Sequence, residues 1–149
     1  MTATTIPAHH HASAPALNEP VQQAFWLLRI GFTVAPIAFG LDKFAEVLTN
    51  DWERYLAPAF NDIIPGSAHD AMLIVGVIEI LAGLLVAVAP RIGAYVVAGW
   101  LAGIILNLLI VGGFGDIALR DFGLLLGALT LARLAGAFAG DRSSPAYSR

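Results

Sequence analysis

The sequence predicts an all-α protein: an integral membrane, antiparallel four-helix bundle with an amphipathic helix in its first external loop. Three observations predict it. The 149 residues are 58% hydrophobic and only 13% charged, with a mean hydropathy of +0.75, whereas a soluble domain is about one-quarter charged. Four apolar runs each reach the roughly 20 residues that a spanning helix needs. In lipid, an open-ended segment satisfies its own backbone only as a helix.

The elements follow in order. Residues 1–20 read as a disordered polar tail without the basic start of a signal peptide. Its His9, His10 and His11 have no assigned role, and no metal site is expected there. The four-helix domain covers 21–140. Its first apolar run is Val21 to Leu41. The link from Asp42 to Ser67 is the longest. Within it Phe44, Val47, Leu48, Trp52, Tyr55 and Leu56 recur at helical spacing, which predicts an amphipathic helix ended by Pro58. The second run is Ala68 to Ala89, opened by Ser67 and Asp70 as a capping-box variant. A very tight link at Ala89 to Arg91 makes the third run, Ile92 to Gly112, its antiparallel neighbour. Gly112 and Gly113 break that helix. Asp116 is expected to cap the fourth run, Ile117 to Ala139, and Gly140 to close it. Residues 141–149 read as a flexible tail.

Inside a bilayer, small and polar residues mark helix contacts. The first helix presents Arg29, Thr33, Pro36 and Gly40 on one face. The second presents Gly76, Glu79 and Gly83, and the third Gly99, Gly103 and Asn107. The fourth presents Arg120, Gly123, Gly127 and Thr130. The packing glycines are therefore expected to be Gly76, Gly83, Gly99, Gly103, Gly123 and Gly127. A lone intramembrane charge is expensive and normally pairs. Glu79 lies roughly 15 Å from its helix end, and Arg29 roughly 10–12 Å from the same surface, so the two are expected to form an intramembrane pair. Asp42, Lys43, Asn107, Arg120 and Asp121 are expected to cluster at the outer mouth, with His69 nearby.

Charge and composition exclude several functions. A net charge of −3 with no basic stripe argues against nucleic acid as a partner. With no cysteine, the chain has no disulfide, dithiol centre, iron–sulfur cluster or thiolate metal site. No two histidines lie within the spans to ligate haem. Arg91, Arg133, Arg142 and Arg149 share one side, which places both termini in the cytoplasm.

Three stretches carry a resemblance: "LLRIGFTVAPIAFGLDKF", "GVIEILAGLLVAVAPRIGA" and "LRDFGLLLGALTL". They are similar to the Arg-x-Gly start and Gly-x-x-Lys-Phe close, the Gly-x-x-Glu-x-x-x-Gly-Leu helix and the Arg-Asp-x-x-Leu-Leu start of the DoxX/DoxD-like family of small four-helix bacterial membrane proteins. The likeness spans about Phe25 to Phe138. It puts Arg29, Glu79, Arg120 and Asp121 at the family's polar positions. Many members carry a histidine just before the Lys, where this chain has Leu41 and Asp42. The resemblance implies a multi-pass protein of the bacterial plasma membrane with protein partners in a membrane complex. Its function would be that of a mainly non-catalytic subunit of a quinone-linked, or thiol and oxidative-stress, redox complex. No cofactor would be covalently bound, and quinone is the expected small molecule. Two other readings stay open on the residues themselves: a small transporter or proton conduit, and a structural or assembly protein.

Overall fold

The structure, a computed structural model, describes residues 18–58 and 66–143. Of the two expected tails, residues 1–17, with His9, His10 and His11, and residues 144–149 lie outside the described residues, while 18–20 and 141–143 are helical. Among the described residues, four long helices make up the fold: α1 Asn18–Ala45, α2 Ala68–Val88, α3 Pro90–Val111 and α4 Gly115–Ser143. There is no strand among the described residues. Each helix contains a stretch long and apolar enough to cross a membrane.

Local chemistry explains most boundaries. Ser67 accepts from the Asp70 amide, and the Asp70 carboxylate accepts from the Ser67 amide, so the capping box closes in both directions. A single residue, Ala89, separates α2 from α3, and Pro90 opens α3 where its missing N–H is harmless. Gly112 and Gly113 take φ of +77° and +80°, a backbone that L side chains resist, and end α3.

Three local expectations need correction. Asp116 does not cap α4. It lies inside the first turn and pairs with Arg120 at 3.2 Å, because the helix already begins at Gly115. Gly140 is not a stop, since α4 continues to Ser143. The third correction concerns the amphipathic helix expected between Phe44 and Leu56. There α1 runs on to Ala45, Glu46 turns into the left-handed region at φ +52°, and only a short 3-10 turn, Trp52–Tyr55, follows. The cause is Asp42, whose carboxylate takes the amides of Val47 and Leu48 at 3.0 and 2.8 Å. Those N–H groups are then lost to any continuing helix.

Packing is uneven. The α1–α2 and α3–α4 pairs make the most extensive contacts, α2–α3 fewer, and α1–α4 fewer still. In the α1–α2 pair the backbones nearly touch. A Cβ on Gly40 would lie 2.5 Å from the Gly76 carbonyl oxygen, and one on Gly83 would lie 2.7 Å from that of Thr33. Further along, Arg29 reaches the carbonyl of Ala87. As α1 is read forward, α2 is met backward. The apolar core lies toward the α2–α3 link and joins Phe25 and Phe32 to Ala82, Val86, Ala94 and Val97. Ala98, Leu101, Ala128, Leu131, Ala132 and Ala135 complete it. Phe25 and Phe138 meet with ring centroids 5.0 Å apart, so the first turns of α1 and the last turns of α4 pack together.

The expected packing glycines divide in two. Gly76 and Gly83 face α1, and a Cβ on Gly127 would meet the Phe32 ring at 3.2 Å. Gly99, Gly103 and Gly123 are exposed with nothing within 4 Å of a Cβ, so they are not contact residues. Their helices pack instead through alanines, Ala94 and Ala98 on α3 and Ala128, Ala132 and Ala135 on α4. Alanine also permits close approach, and it fills the space that glycine would leave empty.

Candidate functional site

The site is built where α1 and α2 come closest. Gly40 against Gly76 brings the last turn of α1 onto the face of α2 that carries Glu79. Lys43 lies in that last turn, where the carbonyl end of a helix favours a cation. Its Nζ donates to Glu79 Oε2 at 2.6 Å. The side chains are 3% and 11% exposed, so this is a sealed ion pair within the helices.

The pairing expected from the sequence is therefore corrected. Glu79 is answered by Lys43, not by Arg29. Arg29 bonds Ala87 at 2.5 Å, eight residues further along α2, which is about 12 Å of helix. The depth argument failed because α1 does not start level with the end of α2. It begins at Asn18 and projects past the α2–α3 link, which carries Arg29 down to the last turn of α2. There the guanidinium lies 4.9 Å from the Trp26 ring centroid.

A lid covers the pair. Trp52 lays its ring over Lys43, with Nζ 4.2 Å from the centroid. Its indole N–H donates to Asp42 Oδ2 at 3.1 Å. Asp42 is buried and serves three donors, Trp52 Nε1 and the amides of Val47 and Leu48. Asn107 of α3 anchors the other end of the lid. Its Oδ1 accepts from the amide of Ala57 at 2.8 Å, and its Nδ2 donates to the carbonyl of Tyr55 at 2.5 Å. Tyr55 packs on Phe114, and Arg54 covers both rings. At the rim, His69 Nδ1 lies 3.3 Å from Glu53 Oε1.

Of the five residues expected at the outer mouth, Asp42, Lys43 and Asn107 build the lid and the pair. Arg120 does not join them: it is exposed and turned to Asp116. Asp121 is partly buried on α4 and is not bonded to the pair. The sequence reading missed Trp100. Its Nε1 is buried without a hydrogen-bond partner among the described residues, beside the Glu79 carboxylate. Trp100 also forms one wall of an apolar groove of about 340 Å³ between α2 and α3, lined further by Ile78, Leu81, Leu85 and Val96. The local signal for the lid was present in the sequence: an aspartate in the last turn of a helix opposes the dipole, so Asp42 needed another purpose.

The arrangement places an amine, a carboxylate and two indoles together, next to an apolar crevice. Such a group can hold a proton and offer hydrogen bonds to a polar head whose tail lies in hydrocarbon. Comparison of the chain with known protein families, with curated proteins and with solved structures finds no match.

Proposed function

We propose that this chain is a multi-pass subunit of a membrane redox complex of the bacterial plasma membrane, quinone-linked or serving thiol and oxidative stress. In this reading it supplies a polar centre for quinone or quinol and no redox group of its own. The helices form an antiparallel bundle with both termini cytoplasmic and the lid facing outward. The observation that carries the reading is the sealed Lys43–Glu79 pair beside Trp100, itself a wall of the groove between α2 and α3. A quinone needs hydrogen-bond and proton partners at its head and an apolar path for its tail, and these lie side by side here. The resemblance to the DoxX/DoxD-like family supports the same reading.

Purification from native membrane in mild detergent tests it. A co-purifying oxidoreductase and extractable quinone are expected, with Glu79→Gln lowering the quinone-dependent rate of the complex. A chain that purifies with neither would overturn the reading. A cysteine at Asn50 should label from outside intact cells.

One observation favours a second reading, that of a structural or assembly protein. Lys43 and Glu79 satisfy each other behind a lid whose polar groups are bonded, as a pair that only fixes helix register would be. Replacing both by methionine separates the two. A stable complex with its redox rate intact supports the structural role, while a stable complex with the rate lost supports the polar centre.

A further inference from the structure

Glu46, Val47 and Leu48 form a turn whose chemistry does not suit water. Val47 is 80% exposed and Leu48 67%, following Leu41 at 54% and Phe44 at 51% in the last turn of α1. A tight turn in water commonly carries polar side chains, and its amides can bond solvent. Here two of the three side chains, Val47 and Leu48, are apolar, with the exposed Glu46 as the exception, and the amides are closed. Glu46 N–H donates to the Asp42 carbonyl at 2.7 Å. Val47 N–H and Leu48 N–H both donate to Asp42 Oδ1. One residue thus satisfies three successive amides, at the expense of holding Glu46 at φ +52°, a backbone uncommon for a side chain of that size. Closing every N–H is what a segment requires when its surroundings cannot hydrogen-bond.

The surroundings are identified by continuity. Leu27, Ile30, Val34 and Leu41 are exposed apolar residues along α1, the candidate span, and the turn follows that span directly. Polar Thr49, Asn50 and Asp51 come next, and then Trp52, an aromatic of the kind found at the headgroup level. We propose that Phe44–Leu48 is an interfacial wedge whose Val47 and Leu48 side chains insert into the acyl edge of the bilayer. Asp42 also holds Trp52, so the carboxylate that closes the wedge positions the ring over Lys43. Seating of the wedge in lipid and seating of the lid over the pair are joined at one residue.

The chain has no native cysteine, so single cysteines can report each position. Val47→Cys, Leu48→Cys and Asn50→Cys would each carry the same environment-sensitive fluorophore, in phosphatidylcholine vesicles with or without bromine-labelled acyl chains. Blue-shifted emission quenched by the brominated lipid is expected at Val47 and Leu48. Red-shifted, unquenched emission is expected at Asn50. Emission at Val47 and Leu48 like that at Asn50 would put the turn in water and overturn the proposal. Blue-shifted emission without quenching would also overturn it, because a second copy or another protein would then cover the turn. A second measurement needs no fluorophore: a membrane-impermeant maleimide should react slowly at Val47→Cys in vesicles and quickly once detergent is added. Equal rates in both conditions would count against lipid burial.

Discussion

The two ends of this bundle are held by different forces. At the link end, α2 and α3 are joined through one residue, and Gly93 lies so close to Val86 that a Cβ would overlap its backbone. Leu131, Val86, Ala94 and Ala128 are fully buried there. Among the described residues, the one long-range polar contact at that end is Arg29 to a carbonyl. At the lid end, Asp42, Lys43 and Glu79 are all buried, and Asn107 ties irregular backbone to α3. The link end depends on volume and the lid end on polar satisfaction. In a bilayer, where apolar burial between helices gains little, close packing and paired polar groups are the two devices left. This chain separates them along its axis.

The largest expected effect lies at the lid end. Lys43→Met or Glu79→Gln alone strands a buried polar partner, and breaking such a pair costs about 3–5 kcal/mol in soluble proteins. Thermal unfolding in detergent should show that loss for each single variant, and much of it should return in the double variant. Arg29→Met combined with Glu79→Gln should instead give additive losses, because the two lie about 12 Å apart along α2. Recovery in that combination would restore the pairing first expected and sink the register described here.

Overpacking at the link end comes next. Gly93→Ala pushes a methyl into the Val86 backbone, which cannot swing aside as a side chain would. A loss of about 1–3 kcal/mol is expected, read as a lower unfolding temperature in detergent. Asn107→Ala should lose about 1–3 kcal/mol by leaving the Ala57 amide and Tyr55 carbonyl unpaired. Its signature differs, however. Protease cleavage within the lid should rise before global unfolding, since only the lid's anchor is lost. Simultaneous lid cleavage and unfolding would show that the lid end is not a separate unit.

What could be read from the sequence was what is local. Four spans follow from run length, and the Ser67–Asp70 capping box from residues three apart. The Ala89–Pro90 link follows from one proline. Register between helices was not legible, because no residue in α1 states where the bilayer begins. Taking Val21 as the boundary moved Arg29 to the level of Glu79 and left Lys43 at the surface. The better marker was the small-residue contact: Gly40 set on Gly76 brings Lys43 within reach of Glu79. The lid was misread because apolar spacing alone favoured a helix. The competing acceptor, Asp42, lies just before that spacing begins to matter.

The smallest expected effect tests the glycine faces. Gly123 and Gly127 stand one turn apart on α4, and sequence reasoning placed both against a neighbour. Only Gly127 meets one, the Phe32 ring of α1, while Gly123 is exposed to open space. Gly127→Leu must displace that ring and should lose about 1–3 kcal/mol. Gly123→Leu adds an apolar side chain on the side of α4 where Leu119, Phe122 and Leu126 are also exposed. Substitutions away from contacts usually stay within about 0.5 kcal/mol, and replacing a mid-helix glycine removes its excess backbone freedom. An unchanged or slightly higher unfolding temperature is therefore expected for Gly123→Leu in detergent. A fall matching that of Gly127→Leu would mean that the Gly123 face is covered by protein, such as a second copy of the chain, rather than by lipid.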